Sequence, residues 1–121
     1  MTKILYVDDE PDIREIAEMA LGLDPDFEVR LAASGEEALA IIAEWRPDIA
    51  LLDVMMPEMD GPSLLKVIRE RESSADIPVA FVTARAQPSE LQNFAMLDAV
   101  GVIAKPFDPM TLASAVRSLL E

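Results

Sequence analysis

The 121-residue sequence predicts an α/β fold, a doubly wound five-stranded parallel sheet with helices on both faces. Three observations carry that reading. Apolar runs of strand length alternate five times with helical patterns about a dozen residues long, without a break in composition. Parallel strands need a crossover of that length, so strict alternation favours a parallel over an antiparallel sheet. Polar residues close the runs at one end (Asp8 and Asp9, Asp53, Thr83, Lys105), where open α/β sheets build their sites.

Taken in order, the first strand is placed near 3–8 on the uniformly apolar run Ile4 to Val7, with a helix over 11–23 behind it. The second strand, 27–32, alternates Phe27, Glu28, Val29, Arg30 and Leu31, the pattern of a half-buried edge. A helix over 35–46 opens on a capping box, Ser34 with Glu37. The third strand, 48–53, is again continuously apolar and therefore central, and a helix over 61–72 follows. The fourth strand spans 78–83 and leads to a helix over 88–98; the fifth, 101–105, leads to a helix over 109–120. Asp108 and Pro109 read as N-cap and first helical residue of that last helix. Its Leu112, Ala115, Val116 and Leu119 mark one buried face. An edge second strand beside a central first and third gives the order 2-1-3-4-5.

Length allows one domain over residues 1–121 and leaves no room for a separate output domain. The apolar runs are too short to span a bilayer, and Met1 leads directly into a strand, so a cytoplasmic protein without membrane association is expected. The chain has no cysteine, which excludes disulfides and thiolate metal sites, and no histidine, which removes the commonest general base. Twenty-three acidic residues against 10 basic ones give a formal charge of −13, a field that repels nucleic-acid backbones. Most of this charge solvates the surface. The Asp8-Asp9-Glu10 run stands apart, because it follows a buried strand.

In a 2-1-3 order the ends carrying Asp8, Asp9 and Asp53 are neighbours. A single aspartate there would read as a cap for the helix beginning near Pro11. Three carboxylates at two adjacent strand ends repel strongly, and protonation or a cation relieves them. All-oxygen ligands favour a small hard ion, Mg²⁺. Lys105, directly after a buried strand and before Pro106, can neutralise a carboxylate at rest and bind a phosphoryl oxygen after modification. Thr83 by itself is no more than a residue with strand preference.

These residues resemble the receiver domain of two-component response regulators along essentially the whole chain. The matching stretches are Ile4-Leu5-Tyr6-Val7-Asp8-Asp9-Glu10, Asp53 through Gly61, Val82-Thr83-Ala84 and Lys105-Pro106-Phe107. The separations between Asp9, Asp53, Thr83 and Lys105 (44, 30 and 22 by residue number) match as well. The resemblance implies a flavodoxin-like fold resembling the chemotaxis regulators and a phosphoacceptor switch in place of an enzyme. Asp53 would accept the phosphoryl group from a histidine kinase or histidine phosphotransfer protein. Asp9, Asp53 and the backbone carbonyl of Met55 would ligate Mg²⁺, with Asp8 acting mainly through a bound water. Thr83 and Lys105 would bind phosphoryl oxygens, and the Lys105–Pro106 peptide would be cis. The fourth helix carries Leu91, Phe94, Met96 and Leu97, more apolar than one buried stripe requires; core packing accounts for them first, and the functional reading is a fourth-helix and fifth-strand face that changes to alter binding of a downstream protein. A monomer or a weak phosphorylation-dependent dimer would result.

The sequence departs from the family at one place, and two variable positions matter beside it. Val102 stands where an aromatic switch residue is usual, so it reads as local strand packing and its output route is non-standard. Met55 and Arg85, at positions that tune phosphoryl lifetime, offer no carboxylate or amide to align water, which predicts slow self-dephosphorylation. An Mg²⁺-dependent phosphatase with an aspartate nucleophile is the alternative, but it needs an acid where Met55 stands.

Overall fold

The computed structural model describes residues 1–84 and 99–120. Its five strands, β1 (Thr2–Val7), β2 (Phe27–Ala32), β3 (Ile49–Asp53), β4 (Val79–Thr83) and β5 (Gly101–Ala104), pair in parallel in the order β2-β1-β3-β4-β5. Four helices accompany them among the described residues: α1 (Pro11–Leu21), α2 (Gly35–Glu44), α3 (Gly61–Glu70) and α4 (Leu112–Leu120). Alternate residues of the inner strands feed two cores. Leu5, Val7, Leu52 and Phe81 meet Ala38 of α2 and Leu64, Leu65 and Ile68 of α3 on one face. Ile4, Tyr6, Leu51 and Val82 meet Ala17 and Leu21 of α1 and Leu112 and Val116 of α4 on the other. Double-sided burial is why residues 4–7 of β1, 49–52 of β3 and 79–82 of β4 are uninterrupted apolar runs, each large side chain adding about 1.5–3 kcal/mol of transfer free energy. On β2 only Phe27 and Ala32 are buried, as an edge strand requires.

Strand positions agree with expectation to within a residue or so at each end, and the first three helices end two residues early. The end of α2 has a clear cause. Trp45 turns extended so that its indole Nε1 donates to Glu28 Oε2 of β2 at 3.0 Å, with the Arg30 guanidinium 4.7 Å from the ring centroid. Ser34 Oγ accepts the Glu37 N–H at 3.1 Å, and Asp60 Oδ1 does the same for Ser63 at 2.8 Å. Asp108 caps the last helix as expected, but the helix starts three residues later than Pro109. Asp108 Oδ1 accepts the Met110 N–H and its carbonyl accepts those of Thr111 and Leu112, so residues 109–111 form a turn and α4 begins at Leu112. The expected helix over 88–98, with Leu91, Phe94, Met96 and Leu97, and the positions Arg85 to Gln87 lie outside the described residues.

Candidate functional site

Sheet register sets the site. Val7 pairs with Leu52, so the residues that follow, Asp8 and Asp53, leave the sheet at adjacent strand ends. Asp53 pairs with Val82 and Thr83 with Ala104, and the Lys105 N–H donates to the Thr83 carbonyl at 2.8 Å. Asp8, Asp53 and Thr83 are all buried at this edge.

Lys105 reaches across it. Its Nζ lies 2.7 Å from Asp8 Oδ2 and 3.1 Å from Asp53 Oδ1, and its side chain is only 14% exposed. Asp8 is anchored on every side. Its backbone N–H donates to Ala32, its Oδ1 accepts the Glu10 N–H at 3.0 Å, and its carbonyl accepts from Arg14 Nη1 at 2.8 Å. Asp8 therefore does not cap α1: the N-cap is Glu10, which makes no side-chain cap bond. Carboxylate oxygens of Asp8, Asp9 and Glu10 can lie within 4.8 Å of one another. Asp53 is not in that trio, and Glu10 joins a cluster expected to hold only aspartates. All donors are hard oxygens, which fits a small hard cation such as Mg²⁺ and not a soft metal.

The loop after β3 brings Met55 out to 62% exposure and then turns back tightly. The Met59 N–H donates to the Pro57 carbonyl at 2.7 Å around Glu58, whose φ is +69°. Gly61 then packs on the end of β3, its N–H donating to the Val54 carbonyl at 3.0 Å. A Cβ at residue 61 would sit 2.6 Å from the Asp53 carbonyl oxygen, which explains the glycine. The Lys105–Pro106 peptide is cis.

Burial and the neighbouring Asp8 charge raise the Asp53 pKa above the usual carboxylate range, and Lys105 only partly offsets them. Burial acts to lower the Lys105 ammonium, but its bonds to Asp8 and Asp53 outweigh that and raise it. An acid raised in the folded state favours folding where it is protonated and loses that advantage as pH rises through its folded value. Asp53→Asn is accordingly expected to raise the neutral-pH unfolding midpoint by a few degrees, the scale of about 1 kcal/mol. The gain should shrink as pH falls into the carboxylate range, and thermal melts across pH check it.

Of the expected residues, Asp8, Asp53 and Lys105 are in direct contact and Thr83 shares their strand edge. Tyr6 and Arg14 had no predicted role, yet both bind Asp8. A phenol in an otherwise aliphatic strand was the available signal for Tyr6.

The arrangement matches known proteins throughout. The model of the response regulator receiver domain family covers residues 4–117. This chain belongs to that family. The receiver is 37% identical over 117 residues to the response regulator Rre1 of Synechocystis sp. and 41% identical over 118 residues to the probable transcriptional regulator ycf27 of Cyanophora paradoxa. Those alignments cover 97% and 98% of this chain but 51% and 48% of the relatives, so it spans about half their length. Among solved structures, the chemotaxis response regulator CheY4 of Vibrio cholerae superposes with a TM-score of 0.89 at 34% identity, covering 98% of both chains. Within the receiver, Val102 pairs with Phe81 and is half-buried against the α2–α3 core, as its reading as a packing residue expects. Among the described residues no helix is long and apolar enough to cross a membrane.

Proposed function

We propose that this receiver is a phosphoacceptor switch in which Asp53 takes a phosphoryl group from a histidine kinase or histidine phosphotransfer protein. The observation that carries the reading is the Lys105 ammonium held between Asp8 and Asp53 at the ends of three strands. An Asp53 carboxylate oxygen attacks phosphorus, a P–O bond to Asp53 forms, and the P–N bond to the donor imidazole breaks with its electron pair leaving on nitrogen. The acyl phosphate product carries about two negative charges where the paired carboxylate carried one. Lys105 then exchanges Asp8 for a phosphoryl oxygen, and the Thr83 hydroxyl donates to another.

Asp8, Asp9, Asp53 and the Met55 carbonyl are the groups that would hold Mg²⁺, with Glu10 at their margin. Bound there, the ion would offset charge on the transferring phosphoryl group. Movement of Lys105 and Thr83 biases the β4 and β5 ends between two arrangements, and a partner that binds one of them reads the change. Val102 supplies no aromatic flip, so the signal leaves through Thr83 and the segment after it, toward an unknown downstream protein. The domain works as a cytoplasmic monomer or as a weak dimer formed on phosphorylation. The phosphatase reading loses support because Met55 presents a thioether where acid–base chemistry needs a carboxylic acid.

Incubation with acetyl phosphate and Mg²⁺ should add one phosphoryl mass to the wild-type protein. Chelation with EDTA, or Asp53→Asn, should abolish it. Equal labelling of wild type and Asp53→Asn would remove Asp53 from its role.

A further inference from the structure

Tyr6 is the one tyrosine of the chain and sits fully buried in β1 between Leu5 and Val7. Its ring meets Phe107 edge-on, with centroids 6.4 Å apart, so it is wedged between β1 and the Lys105-Pro106-Phe107 segment. Its hydroxyl points at the site and donates to Asp8 Oδ2 at 3.3 Å, the same oxygen that Lys105 holds at 2.7 Å. Packing alone gives no reason for a phenol here, because phenylalanine would fill the space and leave no buried hydroxyl to satisfy.

We infer that Tyr6 is a positioning residue that keeps Asp8 in place when Lys105 leaves it for the phosphoryl group. The inference rests on the phosphoacceptor reading of Asp53. Asp8 is fully buried, so an oxygen that loses its cation has to be satisfied locally or its release is costly. Glu10 N–H covers Oδ1, and the Tyr6 hydroxyl is already aimed at Oδ2. The present bond is long and has room to shorten as the lysine departs. Without the hydroxyl, Asp8 grips Lys105 harder and would be a less ordered donor to a cation held beside it.

Tyr6→Phe keeps the ring contacts and removes only this donor. Partners of this kind typically change metal affinity or activity by about 10- to 100-fold, and a 3.3 Å bond points to about tenfold. Calorimetric Mg²⁺ titration and the rate of labelling by acetyl phosphate should each fall by about that factor. Because the chain has a single tyrosine, 3-fluorotyrosine incorporation gives a ¹⁹F resonance that reports residue 6 alone. That resonance should move when Mg²⁺ is added and again on phosphorylation, and it should stop responding to Mg²⁺ in Asp8→Asn. The ¹⁹F readout stands even where Tyr6→Phe folds poorly. Wild type labelled on Asp53 while Tyr6→Phe matches it within twofold in both assays overturns this inference alone, as does a ¹⁹F signal indifferent to Mg²⁺. A wild type that accepts no phosphoryl group overturns both readings.

Discussion

Lys105→Met is expected to lower the stability of the metal-free protein at neutral pH by about 3 kcal/mol, the scale of stripping one partner from a buried ion pair. Asp8 and Asp53 face each other across that ammonium, and without it two buried carboxylates repel with no compensating charge. The methionine replaces the alkyl stem, so the loss reports charge and not packing. In a domain of this size it corresponds to an unfolding midpoint lower by roughly 10 °C or more. Two conditions should recover it. Acidification protonates Asp53, whose pKa burial and the Asp8 charge raise, and a protonated group needs no counter-charge. Added Mg²⁺ supplies the missing positive charge and stabilises by mass action. Thermal melts at neutral and mildly acidic pH, with and without Mg²⁺, make the check. An unchanged midpoint at neutral pH would show that the lysine is not what holds the two carboxylates together.

Gly61→Ala is expected to damage the site through the backbone. The added methyl meets the Asp53 carbonyl oxygen at 2.6 Å and Val54 Cα at 3.0 Å, and neither can rotate away. Either the loop after β3 lifts or the end of β3 shifts, and both displace Asp53 from Lys105. Overpacking of this kind costs about 1–3 kcal/mol, and a misplacement near 1 Å costs about 100-fold in rate. Gly101→Ala is the control. Its methyl comes as close, 2.5 Å, but to Leu119 Cδ2, the end of a flexible side chain. Labelling by acetyl phosphate should fall by about two orders of magnitude in Gly61→Ala and stay near wild type in Gly101→Ala. Equal effects would mean that Gly61 is no more than a packing residue.

Much of the fold was legible because double-sided burial writes itself as unbroken apolar runs. Ile4 to Val7 and Ile49 to Leu52 could be placed centrally, and the alternation from Phe27 to Leu31 placed β2 at the edge. Terminal turns were harder. Asp108 caps as its chemistry predicts, accepting the N–H groups of residues 110–112, but residues 109–111 close as a turn and the regular helix begins later, at Leu112. At the site, strand ends and charge were enough to bring Asp8, Asp53 and Lys105 together. What pattern could not supply was the geometry between side chains. The division of Asp8 Oδ2 between Lys105 and Tyr6, the Glu10 oxygens beside those of Asp8 and Asp9, and the Arg14 bond to the Asp8 carbonyl all depend on where α1 begins relative to β1. The requirement for glycine at 61 likewise follows from a loop that doubles back on Asp53, which no periodicity records.

The central claim is that the phosphoryl group is carried by the carboxylate of residue 53. Borohydride reduces an aspartyl phosphate to homoserine and leaves a free carboxylate unchanged, so it marks the residue directly. After acetyl phosphate, Mg²⁺ and borohydride, peptide sequencing by mass spectrometry should find homoserine at position 53 and aspartate at positions 8 and 9. Homoserine at either of those positions, or none at 53 in a protein that has gained phosphoryl mass, would contradict the account.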